Sequence, residues 1–173
     1  CYVSGMAHGG AAGRGSMIKK FLRNWSVNVQ TPTEFRQVGA LPYVVLDGRL
    51  SVLLITSRRS GRWIFPKGAI EPDMSASQSA AQEALEEAGV TGQIEDTPIG
   101  SYRTGSDIDG SSLVDVDIYP LLVQNQLDDW KEREQRLRHW AVISEAQRLL
   151  ADPALGRIAT ILARRVGQAP ISK

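Results

Sequence analysis

The sequence has one cysteine, Cys1, in 173 residues. A single thiol forms no internal disulfide, and it excludes zinc sites built on several cysteines. So little cysteine fits a reducing compartment, and cytoplasmic residence is the expectation. Charge of one sign is also missing. Twenty Lys and Arg stand against nineteen Asp and Glu. Neither the basic excess of a nucleic-acid binder nor the acidic excess of a solvating tail is present, so no nucleic-acid partner is expected. No apolar run approaches the length that spans a bilayer, and no membrane partner is expected either. Residues 1–16 carry Gly5, Gly9, Gly10, Gly13 and Gly15 but no apolar stretch of the kind a secretory signal needs. Residues 1–17 are expected to form a disordered extension or tag. Residues 18–173 are expected to form a single domain, as a monomer or homodimer, which the chain length suits.

What is present is periodic. Hydrophobic residues make up 42% of the chain, enough for a core. Ile18 to Val29 is mixed and reads as a short helix or an irregular lead-in. Phe35 to Leu46 reads as a strand through Val38, Leu41, Val44 and Val45, with Pro42 predicting an edge position or a bulge. Asp47-Gly48 predicts a type I′ turn into an antiparallel strand, Leu50 to Thr56. Ser60-Gly61 marks another turn, and Trp63 to Phe65 a short strand that Pro66 ends. Ser75 to Ala88 is rich in Ala, Glu and Gln and lacks β-branched residues, which predicts a helix. Ser75 and Gln78 fit a capping box, Gly89 fits the residue after the helix, and Ala76, Ala80, Ala84 and Ala88 share one small face. Ile94 to Tyr102, Leu113 to Val123 and Leu137 to Ile143 read as strands, with a polar loop over Ser106 to Ser112 turning at Asp109-Gly110. Ser144 to Leu150 starts a helix. Asp152-Pro153 opens a longer one through Leu155, Ile158, Ile161, Leu162 and Val166. This order predicts an α+β fold, a mixed β-sheet sandwiched between α-helices.

Glu83, Glu86 and Glu87 stand at i, i+3 and i+4 on the first predicted helix and share a face. Alone, such a triplet reads as a solvated surface. Here the opposite face is small and apolar, so the helix is docked, and the loop before it, Phe65-Pro66-Lys67-Gly68, brings a cation and a flexible backbone. A carboxylate face calls for positive charge, and Mg²⁺ is the natural guest, a hard cation taking carboxylate and phosphate oxygens. A Mg²⁺-bound diphosphate would complete the coordination, the metal would activate a water, and a neighbouring carboxylate could take its proton. Arg58, Arg59 and Arg62 flank a tight turn beside Lys67. Alone they read as a solvated hairpin end; next to a phosphate site, Arg58 and Lys67 become candidate contacts, with Arg103 a further one. His139 reads as structural, Trp63, Trp130 and Trp140 as core or rim aromatics, and Lys131 to Arg138 as a solvated turn.

Gly68 to Val90 resembles the Nudix signature, G-x5-E-x7-R-E-U-x-E-E-x-G-U, where U is a bulky aliphatic residue. Gly68, Glu83, Glu86, Glu87, Gly89 and Val90 match at the required spacing, and Ala84 is a small residue at the first U. Met74 stands where the pattern has its first Glu, and Gln82 where it has Arg. Arg62-Trp63-Ile64-Phe65-Pro66-Lys67-Gly68, with Trp130, Arg136, His139 and Trp140, is similar to the diphosphoinositol polyphosphate phosphohydrolase branch. The resemblance covers roughly residues 37–150. It implies the Nudix fold and a small-molecule phosphorylated substrate, with hydrolysis of a diphosphate linkage in a diphosphoinositol polyphosphate or a dinucleoside polyphosphate, using Mg²⁺ or Mn²⁺. It also implies Glu86 and Glu87 as metal ligands, Glu83 as general base or further ligand, a metal contact from the Gly68 carbonyl, and phosphate contacts from Lys67 and Arg58, with Arg36 another candidate. The two departures carry consequences. Gln82 donates without charge, and charge-assisted bonds are roughly twice as strong. Met74 offers a soft thioether that does not suit Mg²⁺, and Asp73 or Glu71 is near enough in sequence to replace the missing acid. Fewer bound metals and slower turnover are expected. The alternative is a Nudix-fold binding or regulatory module that has lost catalysis.

Overall fold

The computed structural model describes residues 36–105 and 112–167. The expected extension over 1–17, the lead-in over 18–29 and the Asp109-Gly110 turn lie outside them. The element order is β1 (Arg36–Leu46), β2 (Arg49–Thr56), β3 (Trp63–Ile64), β4 (Lys67–Ala69), α1 (Ala76–Glu83) continued by a π-helical turn (Ala84–Ala88), β5 (Val90–Ile94), β6 (Gly100–Gly105), β7 (Leu113–Gln126), β8 (Arg138–Val142), α2 (Ile143–Leu149) and α3 (Pro153–Gly167).

Local chemistry accounts for the joints. Asp47 and Gly48 both have positive φ, 51° and 74°, as a type I′ turn requires, and Tyr43 to Leu46 pairs antiparallel with Arg49 to Val52. Helix α1 opens on the expected capping box. The Gln78 N–H donates to Ser75 Oγ at 3.1 Å, and the Ser75 N–H donates to Gln78 Oε1 at 2.9 Å. Gly89 closes the helix in the left-handed region at φ 67°, donating its N–H to the Leu85 carbonyl. Asp152 caps α3 by accepting the Ala154 N–H at 2.8 Å.

Among the described residues eight strands form one sheet, with β3-β2-β1-β7-β5 as its path, β4 paired to β1, β6 to β7 and β8 to β2. Only β1 and β7 run parallel, so the sheet is mixed. Two expectations are corrected. Pro42 was expected at an edge or bulge, yet β1 is interior, with β7 on one side and β4 then β2 on the other. Ala40 donates its N–H to the Pro66 carbonyl at 3.0 Å. The Pro42 nitrogen, two residues on, faces the same side, at the point where β1 has left β4 and not yet met β2. A missing N–H costs nothing there. The single strand expected over Ile94 to Tyr102 is two, β5 and β6, both on one edge of β7. Pro98, which has no N–H for the ladder, lies in the link between them.

Alternation along the strands sends side chains into two cores. Leu41, Val52, Leu54, Val114, Val116 and Ile118 pack with Leu155, Ile158 and Leu162 of α3 and with Ala146 of α2. On the other face Val38, Ala40, Leu53, Ile55, Tyr119 and Leu121 meet Ala80, Ala84 and Ala88, all three alanines fully buried. The sheet is therefore sandwiched between helices, as expected, and the alanine face lets α1 sit close to it. No helix among the described residues is long and apolar enough to cross a membrane.

Candidate active site

The three glutamates at the end of α1 are in three different states. The helix widens into its π turn after Glu83, and such turns recur at functional sites. Glu87 points inward and is 7% exposed. It accepts the Lys67 backbone N–H at 3.0 Å and is paired with Arg136. Burial pushes its carboxyl up to about 7, against the pull of Arg136 and of the Lys67 N–H. Glu86 points outward. Lys131 holds one of its oxygens and Gln82 Nε2 the other at 2.8 Å, and these two partners, Lys131 first, hold it below the usual carboxylate range. Glu83 makes no side-chain hydrogen bond or ion pair with a described residue. Its carboxylate lies on the backbone of β4: a Cβ added at Gly68 would fall 2.1 Å from Glu83 Oε1. Burial, then the neighbouring Glu86 charge, pushes Glu83 up to about 7.

The end of the box helix leaves carbonyls without intrahelical partners. The connection between β7 and β8, with the first residue of β8, supplies a donor to each of four successive ones. Glu132 N–H donates to the Glu86 carbonyl and Trp130 Nε1 to that of Glu87, both at 3.2 Å. Arg138 Nη1 donates to the Ala88 carbonyl at 3.0 Å, and Leu127 N–H to that of Gly89 at 2.8 Å. Arg138 also stacks 4.0 Å from the Trp130 ring centre, and that ring packs so tightly on Gly89 that a Cβ there would come within 2.8 Å of it. The expected solvated turn over Lys131 to Arg138 is thus a clamp on the helix end. Arg136 within it is buried, donating to the Thr56 carbonyl at 2.9 Å and to Glu132 as well as to Glu87.

A cleft of about 1150 Å³ opens over these groups. Gly68, Glu83, Glu86, Glu87, Lys67 and Arg58 all line it, together with Arg59, Arg62, Glu132 and Arg136. The structure therefore brings together six of the candidate residues read from sequence. Arg36 is not brought to the cleft: its Nη2 donates to both oxygens of Asp117 at 2.9 Å. Arg103 is likewise spent on Asp115. Lys67 Nζ donates to Gln37 Oε1 at 3.1 Å, and Arg58 reaches Gln135 and Glu132. Met74 is 40% exposed, and neither it nor Asp73 or Glu71 lines the cleft. His139 pairs with Glu145 and packs on Trp63, as a structural residue would. Sequence reasoning put Lys131, Glu132 and Arg136 in a solvated turn, with Arg136 counted in the branch resemblance, and gave none of them a place at the carboxylates. The one signal available was the need of buried carboxylates for counter-ions.

Carboxylate oxygens and a main-chain carbonyl are the donors that Mg²⁺ or Mn²⁺ takes, so the donor set fits such an ion. Among the described residues no three His, Cys, Asp or Glu side chains ring a single point as they stand, since Glu86 and Glu87 are turned toward Lys131 and Arg136.

Known proteins resemble this chain in sequence and in fold. The chain is 39% identical over 117 residues to "Nudix hydrolase 21, chloroplastic" of Arabidopsis thaliana, covering 65% of this chain and 58% of that protein. It is 33% identical over 102 residues to "Diphosphoinositol polyphosphate phosphohydrolase 3-beta" of Bos taurus, covering 57% of this chain and 59% of that one. It thus spans about three fifths of the length of each. The plant relative's name places that protein in the chloroplast, not in the cytoplasm expected here. In three dimensions the fold matches a C. elegans Ap4A hydrolase solved as a binary complex, with a TM-score of 0.60 and 19% identity, covering 78% of this chain and 99% of that one. The NUDIX domain family model matches residues 36–160, from the first residue of β1 into α3 and across the whole box, and with that match the chain belongs to the Nudix family.

Proposed function

We propose that this chain hydrolyses a diphosphate linkage in a polyphosphorylated small molecule, with Mg²⁺ or Mn²⁺ as cofactor. The substrate would be a diphosphoinositol polyphosphate or a dinucleoside polyphosphate. One observation carries the reading. Glu83, alone among the three box carboxylates, has no side-chain hydrogen bond or ion pair among the described residues, and it lies on the Gly68 backbone in the wall of the cleft. The names of the bovine and nematode relatives, with their inositol and dinucleoside substrates, support the two substrate types.

When bound, the metal would offset phosphate charge and lower the pKa of a coordinated water. Glu86 and Glu87 would hold it, with the Gly68 carbonyl. Glu83 would accept the proton of the attacking water. A carboxylate pushed up to about 7 is matched to proton transfer near neutral pH. Lys67 and Arg58 would contact phosphate oxygens, and the mixed charge of the cleft suits a small phosphorylated guest. The second reading, a binding or regulatory module, is favoured by Met74 lying outside the cleft and by Gln82 bringing no charge to Glu86.

The test is phosphate or pyrophosphate release across a panel of both substrate types, with Mg²⁺ and then Mn²⁺. Glu86→Gln and Glu87→Gln should each abolish metal-dependent release while the fold survives. Release retained by both variants would sink the hydrolase reading, and binding without turnover by the unaltered chain would favour the module.

A further inference from the structure

We propose that Lys131 is an exchangeable counter-ion of Glu86, and that it sets how tightly the site takes a divalent cation. The inference rests on the metal-dependent reading above. Two cations sit on the box carboxylates, and they differ in kind. The Arg136 side chain is 5% exposed. It donates to Glu87, to Glu132 and to the Thr56 carbonyl of β2, so it cannot leave without abandoning one buried and two half-buried acceptors. The Lys131 side chain is 66% exposed, and Glu86 is its one hydrogen-bond partner among the described residues. An ammonium is a compact, well-hydrated charge on a flexible stem, and it returns to water more readily than a forked guanidinium.

The backbone delivers Lys131 to that spot. On either side of it, Trp130 Nε1 and Glu132 N–H are bonded to the carbonyls of Glu87 and Glu86. The ammonium can swing away while its root stays fixed. Glu86 would keep its orientation after the exchange, because Gln82 still donates to the other oxygen at 2.8 Å. A divalent cation arriving at Glu86 brings twice the charge of the ammonium to the same oxygen. Lys131 is then a stand-in that relieves carboxylate repulsion until the metal arrives, and against which the metal must compete.

The experiment uses Lys131→Met in the full chain without substrate. An exposed ion pair weighs about 1.5- to 5-fold in an equilibrium, so Mn²⁺, titrated by electron paramagnetic resonance, should bind the variant tighter by about that factor, while Lys131→Arg should stay near the unaltered chain. Thermal melting gives an independent readout. With chelator the Met variant should melt below the unaltered chain, and at saturating Mn²⁺ the gap should close. In a Glu86→Gln background the chelated gap should be absent. Mn²⁺ affinity that is unchanged or weaker in the Met variant, or a melting gap that persists under saturating Mn²⁺ or in the Glu86→Gln background, would overturn the proposal. No Mn²⁺ binding by the unaltered chain would overturn the metal reading itself, and this inference with it.

Discussion

Replacing Arg136 by methionine leaves Glu87 as a nearly buried carboxylate with one remaining donor, the Lys67 N–H. The cost separates into two parts. The first does not depend on pH: Arg136 gives up its bonds to the Thr56 carbonyl and to Glu132, and stranding such acceptors costs about 1–3 kcal/mol. The second follows the Glu87 proton. In the unaltered chain the folded pKa of about 7 lies above the ordinary glutamate value of 4.5. This group's stabilising contribution is therefore fully present below pH 4.5 and is lost as pH rises through about 7. Removing Arg136 raises the folded value further, so in the variant the loss continues above pH 7 at about 1.4 kcal/mol per pH unit. At pH 6 the carboxyl is mostly protonated in both chains and only the first part appears. At pH 8 the variant should be worse by roughly a further 1.4 kcal/mol. Urea unfolding in chelator at pH 6, 7 and 8 measures both parts. Adding Glu87→Gln to the Arg136→Met chain should remove most of the pH-dependent part; what is left belongs to Glu83, whose carboxyl the Arg136 charge also pulls down. A cost that is the same at pH 6 and pH 8, or a double variant that follows pH as steeply as Arg136→Met alone, would refute the coupling.

Two further predictions concern the box. Gly68→Ala needs no unusual backbone, but its Cβ would meet the Glu83 carboxylate. The flexible acid should move rather than the strand, so stability should hold within about 1 kcal/mol while kcat falls on the order of 10²-fold; parallel melting and turnover assays would show this, and unimpaired turnover would remove Glu83 from the reaction. Met74→Glu combined with Gln82→Arg restores both box residues and should raise kcat in a steady-state assay. Equal turnover by the double variant and the unaltered chain would mean that the two departures cost nothing.

Much of this was legible in the sequence because it was local. The Ser75–Gln78 box, the Asp47-Gly48 turn, Gly89 and Asp152-Pro153 each rest on atoms a few residues apart, and the alanine face on a fixed helical repeat. Five of the six candidate residues converge because β4 and the box helix follow one another in the chain, and Arg58 joins them from the turn between β2 and β3. What escaped depends on partners distant in sequence. Pro42 looks like an edge residue until β4 and β2 are seen to divide one side of β1 between them. Arg36 looks available until Asp117, across the parallel pairing with β7, occupies it. Lys131 to Arg138 has the composition of a solvated turn, and only the open carbonyls at Glu86 to Gly89, more than forty residues earlier, turn its donors inward. Nothing in the periodicity of the box marks the π turn.

The place of the three acids along their helix has a consequence of its own. Peptide dipoles aligned down a helix leave roughly half a unit of negative charge at its C-terminal end, so acids are disfavoured there and cations welcome. Glu83, Glu86 and Glu87 all lie toward that end. Part of the polarity is cancelled by Arg138 and by the donors clamped onto the last carbonyls, and the remainder adds to the field of the side chains. At the cleft beside this helix end that potential would disfavour a bare phosphate and favour one that carries its own cation.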